Sequence, residues 1–232
     1  MKIISLRPAR AALTLPLFVA VFAALFSPTS PRLGSLAGVG SLPMLSVTGD
    51  LARADRGPNF VVLMTDDQTM ADLQLMPKTR RLIGAAGVSF SNSFVSYPMC
   101  CPSRATYFTG QYAHNHGVLY NHGPHGGYHA FTHPETSFPA ALQRADYETI
   151  QIGKFLNGFG SRTLRPPPGW SDFRGALDPT TYNYYGFSLD ENGKLRTYPS
   201  TEHNYRTDVY ARMASGIIRR EARAHRPFYL NV

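Results

Sequence analysis

Both cysteines of the chain lie in the stretch Cys100-Cys101-Pro102-Ser103-Arg104-Ala105-Thr106-Tyr107-Phe108-Thr109-Gly110. Pro102 is typical of the first turn of a helix, because the N–H group that proline lacks would have no partner there. Gly110 is typical of a helix end, where a left-handed residue often stands. The stretch therefore predicts a helix with Cys100 just before its N-terminus, where free N–H groups and the helix dipole attract anions. Arg104 adds positive charge one turn further on, so the expected reactant is negatively charged.

The first 54 residues have the composition of an export signal followed by a linker. Basic residues precede an apolar run of sixteen residues, 11–26, which is shorter than the roughly 20 residues of a spanning helix. A segment rich in Ser, Gly and Pro follows, at residues 27–49. We therefore expect a secreted, periplasmic or extracellular protein with no stable membrane span after processing, and a folded domain at residues 55–232. An uncleaved anchor is the alternative.

Composition favours a packed globular protein, with 43% hydrophobic and 16% charged residues. The net charge of +8 is not gathered in a basic stripe with interleaved aromatic residues, so we expect no nucleic-acid partner. Exported proteins usually pair their cysteines, but a disulfide between neighbours closes a strained ring. We therefore expect chemistry at one of the two cysteines, with a vicinal-cysteine redox or metal switch as an alternative.

Charged side chains follow two predicted parallel strands. The apolar run Asn59–Thr65 predicts a buried strand that ends in Asp66 and Asp67. The run Tyr147–Gly153 predicts another strand, followed by Lys154. Open α/β sheets bind ligands at the carboxyl ends of their strands, and two adjacent carboxylates favour a bound cation. A solvated turn and a surface lysine are the alternatives.

The remaining predicted elements alternate between helices and strands, which indicates an α/β protein. Helices are predicted at Pro77–Ala86, Thr136–Ala145 and Tyr205–Arg223, strands at Val88–Val95 and Pro227–Val232, and a hairpin with an Asn-Gly turn at Tyr182–Tyr198. We expect the hairpin tyrosines to pack rather than to recognise a ligand. Because the chain stops inside its last predicted strand, we expect a truncated product.

Residues 111–133 are rich in His and Gly and predict a loop. His114 and His116 follow the predicted helix directly, which makes them candidates for contact with substrate. A dedicated zinc site is the less favoured interpretation, because no Cys or Glu motif accompanies the histidines.

The motif Cys100–Arg104 with Thr109-Gly110 resembles the sulfatase signature Cys-x-Pro-Ser-Arg followed by Thr-Gly. Within that family the chain is most similar to the N-acetylglucosamine-6-sulfatase group, and the resemblance runs from about residue 58 to residue 232. It implies an α/β fold like that of alkaline phosphatase, with a mixed sheet flanked by helices. Further shared motifs are Tyr112-Ala113-His114-Asn115-His116, Gly153–Asn157, Pro168-Gly169-Trp170, Tyr182-Asn183-Tyr184, Asn192-Gly193-Lys194 and Thr207-Asp208.

The resemblance implies a role for each residue of the site. A formylglycine-generating enzyme would convert Cys100 to formylglycine. One hydroxyl of the hydrated aldehyde would attack sulfur, and the other would release the sulfate once deprotonated. Asp66 and Asp67, together with the converted Cys100, would bind Ca²⁺. Arg104 would steady the hydrate, and Lys154 would contact the sulfate and the leaving oxygen.

The implied function is that of a sulfuric ester hydrolase acting on sulfated sugars or glycosaminoglycan-type substrates. Leu156 stands where many sulfatases have His, which leaves Asn157, with His114 and His116, as a weak candidate for substrate contact. Further calcium ligands and catalytic groups of the family come from downstream segments, so the 232-residue chain is expected to be inactive alone. A truncated non-catalytic remnant and a phosphonate or phosphate ester hydrolase of the same superfamily are the alternatives.

Overall fold

A mixed β-sheet organises the computed structural model, which describes residues 4–5, 57–161 and 164–232. The order of the strands is β1-β2-β7-β3-β4-β5-β6. Strands β2, β7, β3 and β4 run parallel to one another, whereas β1, β5 and β6 are antiparallel to their neighbours. The strands are β1 (Ile4–Ser5), β2 (Phe60–Val62), β3 (Glu148–Gly153), β4 (Asp172–Ala176), β5 (Phe187–Glu191), β6 (Lys194–Tyr198) and β7 (Phe228–Asn231).

Helices and short 3-10 turns connect the strands. The helices are α1 (Pro77–Thr79), which continues as a π-helical turn at Arg80–Gly84, then α2 (Cys100–Thr109), α3 (Ala113–His116), α4 (Phe138–Arg144) and α5 (Arg206–Ala224). The 3-10 turns are Asp72–Leu75, Tyr128–Ala130, Pro134–Thr136, Thr180–Tyr182 and Glu202–Asn204. None of the described helices combines the length and the apolar composition needed to cross a membrane.

The sheet buries side chains on both faces, as parallel sheets do. On β7, Tyr229 packs into an aromatic cluster that includes Phe108 of α2. The alternate residues, Phe228 and Leu230, pack against α5 through Ile217. Helix α2 is thereby fixed against one face of the sheet, with its N-terminus held in place for the site described below.

Most of the predicted elements are confirmed, and the α/β interpretation with a mixed sheet is correct. The predicted strand Val88–Val95 is wrong, because these residues form bends and irregular backbone. Phe90 and Phe94 are 64% and 89% exposed, so these apolar side chains do not pack against the sheet. The predicted loop at 111–133 contains α3 and a 3-10 turn. The predicted export signal and linker, 1–54, lies outside the described residues apart from β1.

Candidate active site

Helix α2 ends at Gly110 as its sequence predicts, and it begins at Cys100 rather than just after it. Met99 precedes it in extended conformation (φ −139°, ψ 143°), and Gly110 ends it in the left-handed conformation (φ 70°). Cys100 is the first helical residue. The N–H group of Cys101 lacks an intrahelical partner at this end of the helix and donates instead to Oδ1 of Asn121, at 2.8 Å. Cys100 therefore stands at a fixed helix N-terminus.

Three segments bring charged side chains to Cys100. Asp66 follows β2, Arg104 lies one turn into α2, and Lys154 follows β3 directly. The Asp66 carboxylate lies 3.6 Å from the Cys100 Sγ through Oδ1. Its Oδ2 accepts from Arg104, at 2.8 Å, and from Lys154, at 3.0 Å. Arg104 also donates to the backbone carbonyl of Lys154, at 2.6 Å, so its guanidinium ties the two strand ends together.

The charges of this group stabilise one another. Burial disfavours the ionised form of Asp66, but the hydrogen bond and charge of Arg104, with those of Lys154, lower the pKa of Asp66 below its ordinary value. Burial likewise disfavours the ammonium form of Lys154. The charge of Asp66 and its hydrogen bond outweigh this effect and raise the pKa of Lys154. Both side chains are therefore ionised at neutral pH.

Asp66, Asp67 and Cys100 form a candidate metal site in the described part of the chain, with ligand atoms within 4.8 Å of one another. The two carboxylates suit a hard cation such as Ca²⁺, which takes oxygen ligands. Oδ1 of Asp66 faces Cys100, whereas Oδ2 accepts hydrogen bonds from Arg104 and Lys154. A thiol is a soft ligand, so the set fits calcium through its carboxylates and fits better with an oxygen group at position 100.

Cys101 has a different environment from its neighbour. It is completely buried, its S–H donates to Oδ1 of Asn157, and its sulfur accepts from the Asn157 N–H, both at 3.2 Å. Burial raises the pKa of the Cys101 thiol to about 11, so the thiol is neutral. A vicinal-cysteine switch needs two reactive thiols and does not fit this arrangement. Asn157 is itself 1% exposed and lies behind the site rather than on its surface.

Tyr182 is a site residue that the sequence analysis missed. Its hydroxyl accepts from Nδ2 of Asn157 at 2.6 Å and lies 3.3 Å from Nζ of Lys154. The Lys154 ammonium also stands over the Tyr182 ring, 4.6 Å from its centre. The motif Tyr182-Asn183-Tyr184 was a signal for this role, but the aromatic content favoured packing. The packing predicted for the hairpin tyrosines does not describe Tyr182, because 57% of the residue is exposed and its hydroxyl contacts Asn157 and Lys154.

The two histidines after α2 are placed away from Cys100. His116 is buried, its Nε2 lies 3.1 Å from the Thr106 hydroxyl, and its Nδ1 accepts from the Val118 N–H. Burial lowers the pKa of His116. His114 is exposed and stacks on Tyr112. Thr106 lies about 9 Å along α2 from Cys100 at 1.5 Å per residue, so the hydroxyl that holds His116 belongs to the second half of the helix.

The sheet and the site together define an α/β protein of alkaline-phosphatase-like fold, with a helix N-terminus beside paired carboxylates. A family model described as Sulfatase matches residues 58–232. The chain belongs to the sulfatase family.

Relatives and solved structures agree with this assignment. The human N-acetylglucosamine-6-sulfatase is 36% identical over 176 residues, which cover 71% of this chain and 31% of that protein. The putative extracellular sulfatase Sulf-1 homolog of Caenorhabditis elegans is 32% identical over 182 residues, 76% of this chain and 25% of the relative. The solved complex of BT4656 with its substrate D-glucosamine-2-N,6-O-disulfate has a TM-score of 0.62 and 25% identity, covering 76% and 34% of the two chains. The chain thus spans about a quarter to a third of the length of these proteins.

Proposed function

We propose that this chain carries part of the active site of a sulfatase that hydrolyses sulfuric esters of sugars. The observation that carries the proposal is the convergence of Asp66, Arg104 and Lys154 on Cys100 at the N-terminus of α2. This arrangement offers the positive charges of Arg104 and Lys154 to an anionic ester beside a nucleophile position. The names of the relatives, and the sulfated glucosamine bound by the structural neighbour, support sulfated sugars as the substrate class.

Calcium and formylglycine complete the proposed chemistry. When present, a hydrated aldehyde at position 100 supplies the nucleophile, and a calcium ion supplies positive charge beside the sulfate. Asp66 and Asp67 would hold the ion through their carboxylate oxygens. Arg104 orients Asp66 and the backbone of Lys154. Lys154 keeps its ammonium proton because its pKa is raised, so it donates hydrogen bonds to the sulfate and to the ester oxygen.

Two further proposals concern the setting in which the protein acts. An oxidising partner, the formylglycine-generating enzyme, would be needed to convert Cys100. Export to a secreted, periplasmic or extracellular location agrees with the composition of residues 1–54, and the Sulf-1 homolog is named as an extracellular protein.

The binding of matched sugar esters tests this function. Isothermal titration calorimetry would compare D-glucosamine 6-sulfate with unsulfated D-glucosamine and with D-glucosamine 6-phosphate, in calcium buffer. We expect the sulfate ester to bind, and Lys154→Ala to weaken it by about tenfold or more, because a charge-assisted hydrogen bond is lost. Lys194→Ala is the matched control, since it removes the same charge from an exposed strand start.

The result that would overturn the proposal is equal binding of sulfated and unsulfated glucosamine by the wild-type chain. Tighter binding of the phosphate ester than of the sulfate ester would favour a phosphate ester hydrolase instead. A loss of affinity in Lys194→Ala as large as that in Lys154→Ala would show that net charge, and not the site, attracts the ligand.

A further inference from the structure

The hydroxyl of Tyr182 lies against the lysine that the proposed function assigns to sulfate binding. Its oxygen is 3.3 Å from Nζ of Lys154 and 2.6 Å from Nδ2 of Asn157. The ring lies beneath the same ammonium group, 4.6 Å from ring centre to nitrogen. With 57% of the residue exposed, Tyr182 combines contact to the site with access to solvent.

The hydrogen-bond pattern fixes what this hydroxyl can still do. A phenol oxygen has one O–H donor and lone pairs that accept. Both neighbouring groups are N–H donors, so the Tyr182 oxygen acts as their acceptor, and its own O–H has no acceptor among the described residues. Asn157 cannot reverse this pattern without loss, because its Oδ1 accepts the S–H of the neutral, buried Cys101. Tyr182 therefore offers a donor to any group that binds beside Lys154.

The fold holds Tyr182 in this position through a buried arginine. Tyr182 ends the 3-10 turn Thr180–Tyr182. Arg206, which is 9% exposed, donates to the carbonyls of Thr180 and Thr181, and its guanidinium lies over the Phe187 ring. A buried cation is costly unless it makes hydrogen bonds, and both terminal nitrogens of Arg206 donate theirs to the backbone of this turn. The turn that presents Tyr182 is thus anchored from the protein interior.

We infer that Tyr182 is a further substrate-contacting residue, whose O–H donates a hydrogen bond to an oxygen of the sulfate group held by Lys154. This inference rests on the proposed function. A sulfate monoester has terminal oxygens that only accept, so it matches a donor pair formed by an ammonium and a phenol hydroxyl. The ammonium of Lys154 attracts the sulfate by its charge, and the O–H of Tyr182 orients one sulfate oxygen through a hydrogen bond.

The variant Tyr182→Phe tests this contact, because it removes the hydroxyl and keeps the ring under Lys154. Calorimetry would use D-glucosamine 6-sulfate in calcium buffer, with Cys100 unconverted so that no turnover occurs. We expect the affinity to fall by about tenfold to a hundredfold, the range for a hydrogen bond to a charged partner. Tyr185→Phe is the matched control, since it removes a hydroxyl three positions away, on a ring that packs against Tyr205.

A second readout separates direct contact from an effect through Lys154. The loss of affinity caused by Tyr182→Phe is expected to persist when it is measured in the Lys154→Ala background. A loss that appears only when Lys154 is present would overturn the inference, because Tyr182 would then act by positioning the lysine. Unchanged affinity in Tyr182→Phe would overturn it as well and leave the proposed function intact. Failure of the wild-type chain to bind the ester would overturn both.

Discussion

Replacing Asp66 with Asn removes the carboxylate that pairs with both Arg104 and Lys154. The two cationic side chains are 8% and 11% exposed, whereas that of Asp66 is 32% exposed. Breaking a buried ion pair costs about 3–5 kcal/mol, and breaking an exposed one costs about 0.2–1 kcal/mol. Since the cations are buried and the carboxylate is partly solvated, we expect Asp66→Asn to lower the free energy of unfolding by about 2 kcal/mol. At about 2–4 °C per kcal/mol for a domain of this size, Tm falls by about 4–8 °C.

The assay is thermal and urea unfolding followed by circular dichroism at pH 7 without calcium. Asp67→Asn is the matched control, because Asp67 is exposed and Asn tolerates its left-handed conformation (φ 52°). This control is expected to stay within about 0.5 kcal/mol of wild type. The reasoning is refuted if Asp66→Asn also stays within that range, because Arg104 and Lys154 would then need no counter-charge.

The pH dependence of the same difference has a definite sign. Folding lowers the pKa of Asp66, so its stabilising effect is present above the unfolded value of about 3.9 and is lost as pH falls through the lower folded value. The difference between wild type and Asp66→Asn should therefore be the same at pH 7 and pH 5. It should decline only below about pH 4.

Two further predictions concern the metal site and the cysteines. Calcium at a hundred times its Kd should stabilise the wild type by about 2.7 kcal/mol. Asp67→Asn should abolish this gain, although it leaves the stability without calcium unchanged. A calcium-induced rise in Tm that persists in Asp67→Asn would rule Asp67 out as a ligand. Alkylation at neutral pH should modify Cys100 alone in the folded protein, and Cys101 only after unfolding, because Cys101 is buried and its pKa is about 11. Two alkyl groups on the native chain, counted by mass spectrometry, would contradict the described environment of Cys101.

Local signals carried much of the fold and part of the site. Pro102 and Gly110 predicted both ends of α2, because proline and glycine act through their own backbone preferences. The residues that follow predicted strands, Asp66 and Lys154, were placed at the sheet edge by a rule of parallel sheets. In the structure, Nζ of Lys154 lies 3.0 Å from Oδ2 of Asp66.

The features that were missed depend on distant partners. Strand β4, Asp172–Ala176, has little strand character of its own and is formed by pairing with β3 on one side and β5 on the other. Tyr182 reaches the site because Arg206, on a helix further along the chain, anchors its turn. The strand predicted at Val88–Val95 does not form, because an alternating pattern becomes a strand only where it can pair with the edge of a sheet.

The mass of the peptide that contains Cys100 and Cys101 tests the sulfatase site most directly. The chain would be co-produced with a formylglycine-generating enzyme, together with a peptide substrate of that enzyme as a positive control. We predict one aldehyde, located at Cys100 by fragmentation, and an unmodified thiol at Cys101. Two intact thiols in the chain, beside full conversion of the control peptide, would contradict the assignment of Cys100 as the precursor of the nucleophile.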